Sequence, residues 1–138
     1  MTDYMVIGKF RNKENVQKLV EAIRSTGKTC YSFADKPAHP DWVDASPEKQ
    51  MEMLESHPDF LNDPIHKHHY EKDLAGLLNA KIVALLLPGG NSAHIEAGIA
   101  FGKGKQLVLI GTPEKAETLY HVFNECYKTP EDFLATIT

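Results

Sequence analysis

Residues 81–102, KIVALLLPGGNSAHIEAGIAFG, decide the fold of this chain. The six consecutive apolar residues 82–87 predict a strand that is covered on both faces, as strands of parallel sheets are. Residues 88–90, Pro-Gly-Gly, end that strand and permit a tight turn. Ser92 is a good N-cap residue, so we expect a helix that begins near it and carries Glu96 on its first turns. A strand, a glycine turn and a helix N-terminus form a common site for anions and nucleotides.

A carboxylate at this place has a structural and a chemical interpretation. Acidic side chains are favoured near helix starts, so Glu96 is in the first interpretation only a partner of the helix dipole. A capping box would need its cap three residues earlier, at Ala93, and alanine cannot cap. In the second interpretation the positive helix end keeps Glu96 ionised, as a nucleophile must be. The stretch by itself leaves both interpretations open.

Length and composition indicate one globular domain. The chain has 138 residues, enough for one ordinary core, and we assign residues 1–138 to a single domain. With 15 basic and 19 acidic residues the net charge is −4, which argues against nucleic-acid or anionic-membrane partners. Cys30 and Cys126 lie far apart and suggest neither a disulfide framework nor a zinc knuckle. No long apolar span and no signal peptide is visible, so we expect a cytoplasmic protein.

Strands and helices alternate along the chain. We predict further strands over 4–10, 28–33, 105–111 and within 119–127, and helices over about 12–25, from Ser46, over 64–79, from Thr112 and over 129–137. This alternation predicts an α/β protein of three layers. Its centre is a doubly wound, flavodoxin-like or Rossmann-like sheet of about five parallel strands in the order 2-1-3-4-5.

Residues 35–64 form a long excursion between the second and third strands. It is either a lid over a binding site or an extra packing arm. Trp42 and Phe60 are candidates for stacking on a base, although an aromatic residue in a loop more often packs against the protein.

Asp73 lies on the flank of the side through which the helix over 64–79 is expected to pack. Four residues define that side: Tyr70, Leu74, Leu77 and Leu78. A carboxylate at the border of a packing face is costly unless it is satisfied or useful. A bordering aspartate with access to water, or with a salt bridge, is the structural alternative.

Ligands of doubly wound sheets bind beyond the carboxyl ends of the strands, where the strand order reverses. This rule places two segments on either side of one crevice: Gly8, Lys9, Phe10 and Arg11 after the first strand, and Gly89, Gly90, Asn91 and Ser92 after the third. Lys9 and Arg11 are either ordinary exposed charges or ligands of a phosphate, for which arginine offers a bidentate fork.

No metal and no cofactor is expected. His66, His68 and His69 lie close together, but catalytic zinc needs three well-placed ligands, and no further residue has convincing spacing. The sequence has neither the GxGxxG of dinucleotide sites nor a P-loop, and it has no Gly-x-Ser-x-Gly elbow.

Several of these elements together resemble the nucleoside 2-deoxyribosyltransferase superfamily. They are Gly8 and Phe10 after the first strand, Asp73-Leu74, Asn79-Ala80, Ser92-x-x-x-Glu96-x-Gly98-x-Ala100, and Gly104-Lys105 before a hydrophobic strand. The resemblance covers most of the chain outside residues 35–62. It implies a flavodoxin-like fold, Glu96 as the nucleophile at the anomeric carbon of deoxyribose, and Asp73 as its partner near base and sugar. It also implies a homodimer or larger homo-oligomer in which neighbours complete each other's sites.

One branch of this superfamily hydrolyses deoxynucleoside 5′-monophosphates, and Arg11 and Ser92 match residues that help to hold the phosphate there. Transferases usually carry an aspartate in the turn before the glutamate, where this chain has Asn91-Ser92. They also carry an Ala-Asp pair before the third strand, where this chain has Ala80-Lys81. Both differences favour the hydrolase branch or another substrate.

Residues 88–96 also resemble the Pro-Gly-Gly-x-Gly-Thr-x-x-Glu motif of the phosphoribohydrolases that free cytokinin bases, with Ser92-Ala93 in place of Gly-Thr. Both families act on an N-glycosidic bond next to a glutamate. We therefore expect an enzyme that cleaves this bond in a small-molecule (deoxy)nucleoside or its 5′-monophosphate through a glutamate nucleophile. The alternatives are a phosphoribohydrolase, a non-catalytic nucleotide-binding or signalling module on the same fold, and a structural subunit without a small ligand.

Overall fold

The structure, a computed structural model, describes residues 1–35 and 44–137 and has a five-stranded parallel sheet at its centre. The strands are β1 (Thr2–Ile7), β2 (Cys30–Ser32), β3 (Ala80–Leu86), β4 (Gln106–Ile110) and β5 (Glu125–Tyr127). They lie in the order β2-β1-β3-β4-β5, and each neighbouring pair is parallel. The predicted fold class and strand order are confirmed.

Helices cover both faces of the sheet and complete three layers. They are α1 (Lys13–Ser25), α2 (Pro47–Glu55), α3 (Pro64–Asn79), α4 (Asn91–Gly102) and α5 (Pro130–Leu134). Side chains of α1 and α5 pack on one face, and those of α3 and α4 pack on the other. Within the described ranges, no helix is long and apolar enough to span a bilayer.

Burial on both faces explains the apolar run of β3. Ala84 and Leu86 belong to the core shared with α1 and α5, whereas Val83 and Leu85 belong to the core shared with α3 and α4. All four side chains are at most 5% exposed. Because side chains alternate across a strand, a strand covered on both faces needs an apolar residue at every position.

The helices that have a proline in their first turn begin where the sequence predicts. Ser46 and Thr129 cap α2 and α5, accepting hydrogen bonds from backbone amides at 3.1 Å in both cases, and a proline occupies the first turn of each helix. Asp63 caps α3 in the same way, with the amide of His66 at 3.0 Å. The hydroxyl and carboxylate oxygens satisfy amides that have no partner within the helix.

Two other predictions about helix starts are wrong in part or in full. The helix α4 begins near Ser92, as predicted, but its first residue is Asn91 and its cap is Gly90, so Ser92 is not the N-cap. The carbonyl of Gly90 already accepts the amide of His94 at 3.2 Å, so the helix begins directly after the turn. No helix begins at Thr112. The residues that follow it, 114–118, read Glu-Lys-Ala-Glu-Thr and lack the apolar spacing that would hold a helix against the core.

The predicted packing side of α3 is also partly wrong. Tyr70 and Leu78 are 62% and 41% exposed, whereas Gly76 and Leu77 are buried. Between residues 64 and 72 no side chain is buried. The helix therefore packs against the sheet through its second half, while His66 and His69 of its first half line the cavity described below.

Of the two aromatic residues proposed to stack on a base, Trp42 lies outside the described residues. Phe60 is 53% exposed, and its ring lies 6.0 Å from the ring of His66.

Gly76 allows α3 to approach β2 closely. A Cβ atom at this position would lie 2.7 Å from Cδ1 of Tyr31, well inside van der Waals contact. The glycine therefore makes room for the Tyr31 ring, whose hydroxyl reaches Asp73 on the same helix.

We expect Gly76→Ala to lower the free energy of unfolding by about 1–3 kcal/mol, because the Tyr31 ring must move to admit the methyl group. Urea denaturation measures this change. Gly98→Ala on α4 is the matched control, since a Cβ there meets no atom within 4 Å. The control should gain roughly 0.5–1 kcal/mol from helix propensity. Equal stabilities of the two variants would contradict the close packing of Tyr31 on Gly76.

Candidate active site

A cavity of about 650 Å³ opens at the carboxyl ends of β1 and β3. It lies where the strand order reverses, as expected for a doubly wound sheet. All ten residues proposed for the site line it: Gly8, Lys9, Phe10, Arg11, Asp73, Gly89, Gly90, Asn91, Ser92 and Glu96.

The first wall of the cavity follows β1. A Cβ atom at Gly8 would lie 3.1 Å from both the carbonyl oxygen of Leu86 and Cγ2 of Val16. A side chain there would push the end of β1 away from β3. The chain then enters a 3-10 turn, Phe10–Asn12, which brings Phe10 and Arg11 to the cavity.

The second wall is the start of α4. Gly90 caps this helix without a side-chain hydrogen bond, and Gly90, Asn91 and Ser92 all line the cavity. The first amides of a helix are a natural binding place for anionic or polar groups. His94 is exposed, with its Nδ1 2.8 Å from the Gly90 carbonyl oxygen and its Nε2 2.9 Å from the Tyr120 hydroxyl.

Glu96 lies in the cavity wall on α4 and is half-buried. Removal from water raises the pKa of Glu96 to about 8, and the negative charge of Asp73 adds to the rise. This raised pKa runs against the interpretation in which the positive helix end keeps Glu96 ionised. The helix dipole acts mainly within the first turn, whereas Glu96 is the sixth residue of α4.

Asp73 reaches the same cavity from α3. Burial raises its pKa, and a hydrogen bond from the Tyr31 hydroxyl to Asp73 Oδ1, at 3.0 Å, opposes that rise. The pKa of Tyr31 is raised as well, first by burial and then by the charges of Asp73 and Glu96. From the sequence, Tyr31 was predicted only to lie in the second strand, since a hydrogen bond between residues 42 positions apart has no local signal.

Arg11 is already engaged in ion pairs with α2. Its Nε lies 2.6 Å from Glu48 Oε2, and its Nη2 lies 2.5 Å from Glu55 Oε1. These hydrogen bonds raise the pKa of Arg11 and lower the pKa of Glu55. Its role toward a phosphate stays a prediction, and any anion there would compete with two carboxylates.

Sequence reasoning missed the other residues that line the cavity: Phe33, Met51, Leu54, Glu55, His66, His69 and Ala93. Phe33 directly follows β2, so the strand-end rule used for Gly8 would have found it. The α2 residues had no such signal, because nothing local fixes where the excursion folds back.

His66 joins α2 to α3. Its Nδ1 lies 2.7 Å from Asp63 Oδ2, and its Nε2 lies 2.9 Å from the carbonyl oxygen of Leu54. Across residues 1–35 and 44–137, no three side chains of His, Cys, Asp or Glu are grouped to hold a metal ion.

Comparisons with known proteins bear on the fold. No family model matches the sequence, and no curated protein matches it significantly. A 2-deoxyribosyltransferase from the psychrotolerant bacterium Bacillus psychrosaccharolyticus is similar in structure, with a TM-score of 0.63 and 15% identity over 96% of this chain and 90% of that one. This chain has a nucleoside 2-deoxyribosyltransferase-like fold. A conserved protein from Enterococcus faecalis V583 is also similar in structure to this chain, with a TM-score of 0.62 and 17% identity over 99% of this chain and 97% of that one.

We expect Glu96→Gln to stabilise the protein increasingly as the pH rises. The native protein keeps this proton up to about pH 8, whereas the unfolded chain releases it near the ordinary pKa of 4.5. Wild-type stability therefore falls between these pH values. The advantage of the variant, which cannot ionise, should grow by at most about 1.4 kcal/mol per pH unit in this window and then stay constant.

Urea denaturation at several pH values between 5 and 9 measures this difference. Glu52→Gln, the same change at an exposed position of α2, is the matched control. A pH trend for Glu96→Gln no larger than that of the control would contradict the burial of the Glu96 carboxyl.

Proposed function

We propose that this protein cleaves the N-glycosidic bond of a nucleoside or nucleotide, with Glu96 as the nucleophile and Asp73 as the proton donor. The observation that carries the proposal is that two carboxyl groups from different helices line one cavity, where burial raises the pKa of both. Paired carboxyls with raised pKa values are typical of sites that break glycosidic bonds. The 2-deoxyribosyltransferase-like fold supports the same chemistry.

The cavity offers suitable surroundings for both halves of such a substrate. Phe10 and Phe33 line it with ring centroids 6.1 Å apart, which provides an apolar wall for a planar base. Cleavage develops positive charge on the sugar ring, and an ionised carboxylate beside the anomeric carbon stabilises that charge or bonds to it.

Cleavage by this route needs Glu96 ionised and Asp73 protonated when the bond breaks. Near neutral pH, Glu96 holds a proton, because burial and the charge of Asp73 disfavour its ionised form and raise its pKa to about 8. Positive charge developing on a bound sugar favours ionised Glu96, so the proton moves to Asp73. The reactive form is thus one of two arrangements of the same singly protonated pair.

The reaction then balances in two steps. A Glu96 oxygen bonds to C1′ while the C1′–N bond breaks, and the departing base takes the proton from Asp73. Water, or a second base, next attacks C1′ and releases the Glu96 carboxylate, and the proton of the attacking group returns to Asp73. The choice of water or base separates a hydrolase from a transferase.

Self-association is a further part of this proposal. Ile95 and Phe101 of α4 are 64% and 56% exposed, and Glu96 is the one charged residue of that helix. Large exposed apolar side chains on a helix with so little charge support the homo-oligomer expected from the sequence.

We expect purified protein to release free base from deoxynucleosides or their 5′-monophosphates, and chromatography measures this release. Glu96→Gln should lower kcat by roughly 10³-fold or more, because the amide is not a nucleophile. Glu52→Gln is again the control and should keep wild-type rates. Free base released by Glu96→Gln at the wild-type rate would remove Glu96 from the mechanism. Thermal stabilisation by these ligands without release in any variant would favour the binding module.

The pH dependence of kcat/KM tests the shared proton. Since the reactive pair carries one proton, kcat/KM should fall about tenfold per pH unit above about pH 8, where the pair loses it. It should also fall at acid pH, where both carboxyls are protonated. A rate that keeps rising through pH 8 would show that only ionised Glu96 is needed and that Asp73 is not the acid.

A further inference from the structure

Two acidic side chains of α2, Glu48 and Glu55, are hydrogen-bonded to the guanidinium of Arg11. We propose that Glu48 and Glu55 make the cavity select nucleosides with an uncharged 5′ end over 5′-monophosphates. This inference rests on the proposed function and names its substrate class. It runs against the sequence-based expectation that Arg11 would hold a phosphate.

The first evidence for this selectivity is the pairing of Arg11 with α2. Its guanidinium donates to Glu48 Oε2 at 2.6 Å and to Glu55 Oε1 at 2.5 Å, and a longer contact of 3.5 Å joins Nη1 to Glu55 Oε2. The donors of the guanidinium fork are thereby directed at α2. A phosphate that used the same fork would have to break these pairs and then remain beside the two carboxylates.

The second evidence for this selectivity is the charge of the residues that line the cavity. Once Arg11 is paired, Lys9 is the one remaining lysine or arginine among the described residues that line the cavity. A 5′-phosphate brings a charge of about −1.5 to −2 near neutral pH. In the cavity it would meet the Lys9 ammonium and the Glu55 carboxylate, and Glu48 holds the other side of Arg11. At the partly exposed rim of a cavity this repulsion is screened but not removed.

The same arrangement suits a neutral sugar. Glu55 lines the cavity, and its contacts with Arg11 hold it in place and lower its pKa, so it stays ionised. An ionised carboxylate only accepts hydrogen bonds, and a 5′-hydroxyl can donate one. Glu55 therefore offers an attraction for the hydroxyl and a repulsion for the phosphate, which together give specificity.

Binding measured without turnover tests this inference. Isothermal titration of the Glu96→Gln variant compares thymidine with thymidine 5′-monophosphate at low salt. We expect the nucleoside to bind about tenfold more tightly. Adding Glu48→Gln and Glu55→Gln should reduce that preference by about tenfold, and raising the salt concentration should reduce it in the parent variant.

Glu52→Gln in the same background is the matched control, since it removes one negative charge from α2 at a side chain that pairs with Lys49, at 4.0 Å. Its preference should match that of the parent. The inference would be overturned if the parent bound the monophosphate as tightly as the nucleoside. It would also be overturned if Glu52→Gln reduced the preference for the nucleoside as much as the two changes at Glu48 and Glu55 do.

Failure of this inference and failure of the proposed function are distinguishable. A nucleoside preference without release of base by the wild type would overturn only the function. Release of base with a preference for the monophosphate would overturn only the specificity. If neither ligand binds, both are overturned.

Discussion

The burial of two carboxyl groups in one cavity is the constraint on which the rest of the site depends. Each group raises the energy of ionising the other, and water is too scarce around Glu96 to compensate. The fold supports Asp73 with a hydrogen bond from Tyr31, and Gly76 supplies the space that lets the tyrosine ring lie there. Glycine is unfavourable inside a helix, but at position 76 it makes room for the tyrosine that donates a hydrogen bond to Asp73, one turn earlier on α3.

The excursion between β2 and α3 forms part of the cavity wall. Met51, Leu54 and Glu55 of α2 line the cavity. Polar contacts hold α2 at both sides, through Arg11 after β1 and through His66 on α3, whose ring contacts the Leu54 carbonyl. A helix held by charged and hydrogen-bonded side chains, with a largely exposed surface, can influence which ligand enters without belonging to the hydrophobic core.

Sequence reasoning worked best where one local rule settles the outcome. The apolar run of β3, the Ser46-Pro47 start of α2 and the glycine turn after β3 each follow from steric or hydrogen-bonding preferences of a few neighbouring residues. The strand-end rule then placed eight of the ten proposed residues at one cavity. It did not find the α2 side chains, because their position depends on contacts with residues more than 35 positions away.

By itself, the sequence determined the order of the sheet and the edge at which the site lies, because alternating strands and helices admit few chain paths. It also determined that Glu96 and Asp73 would be near that edge. Only the tertiary structure decided their protonation, since a pKa depends on burial and on charges that other helices supply. The pairing of Arg11 was decided there as well, because α2 brings Glu48 and Glu55 to it only after the chain has folded.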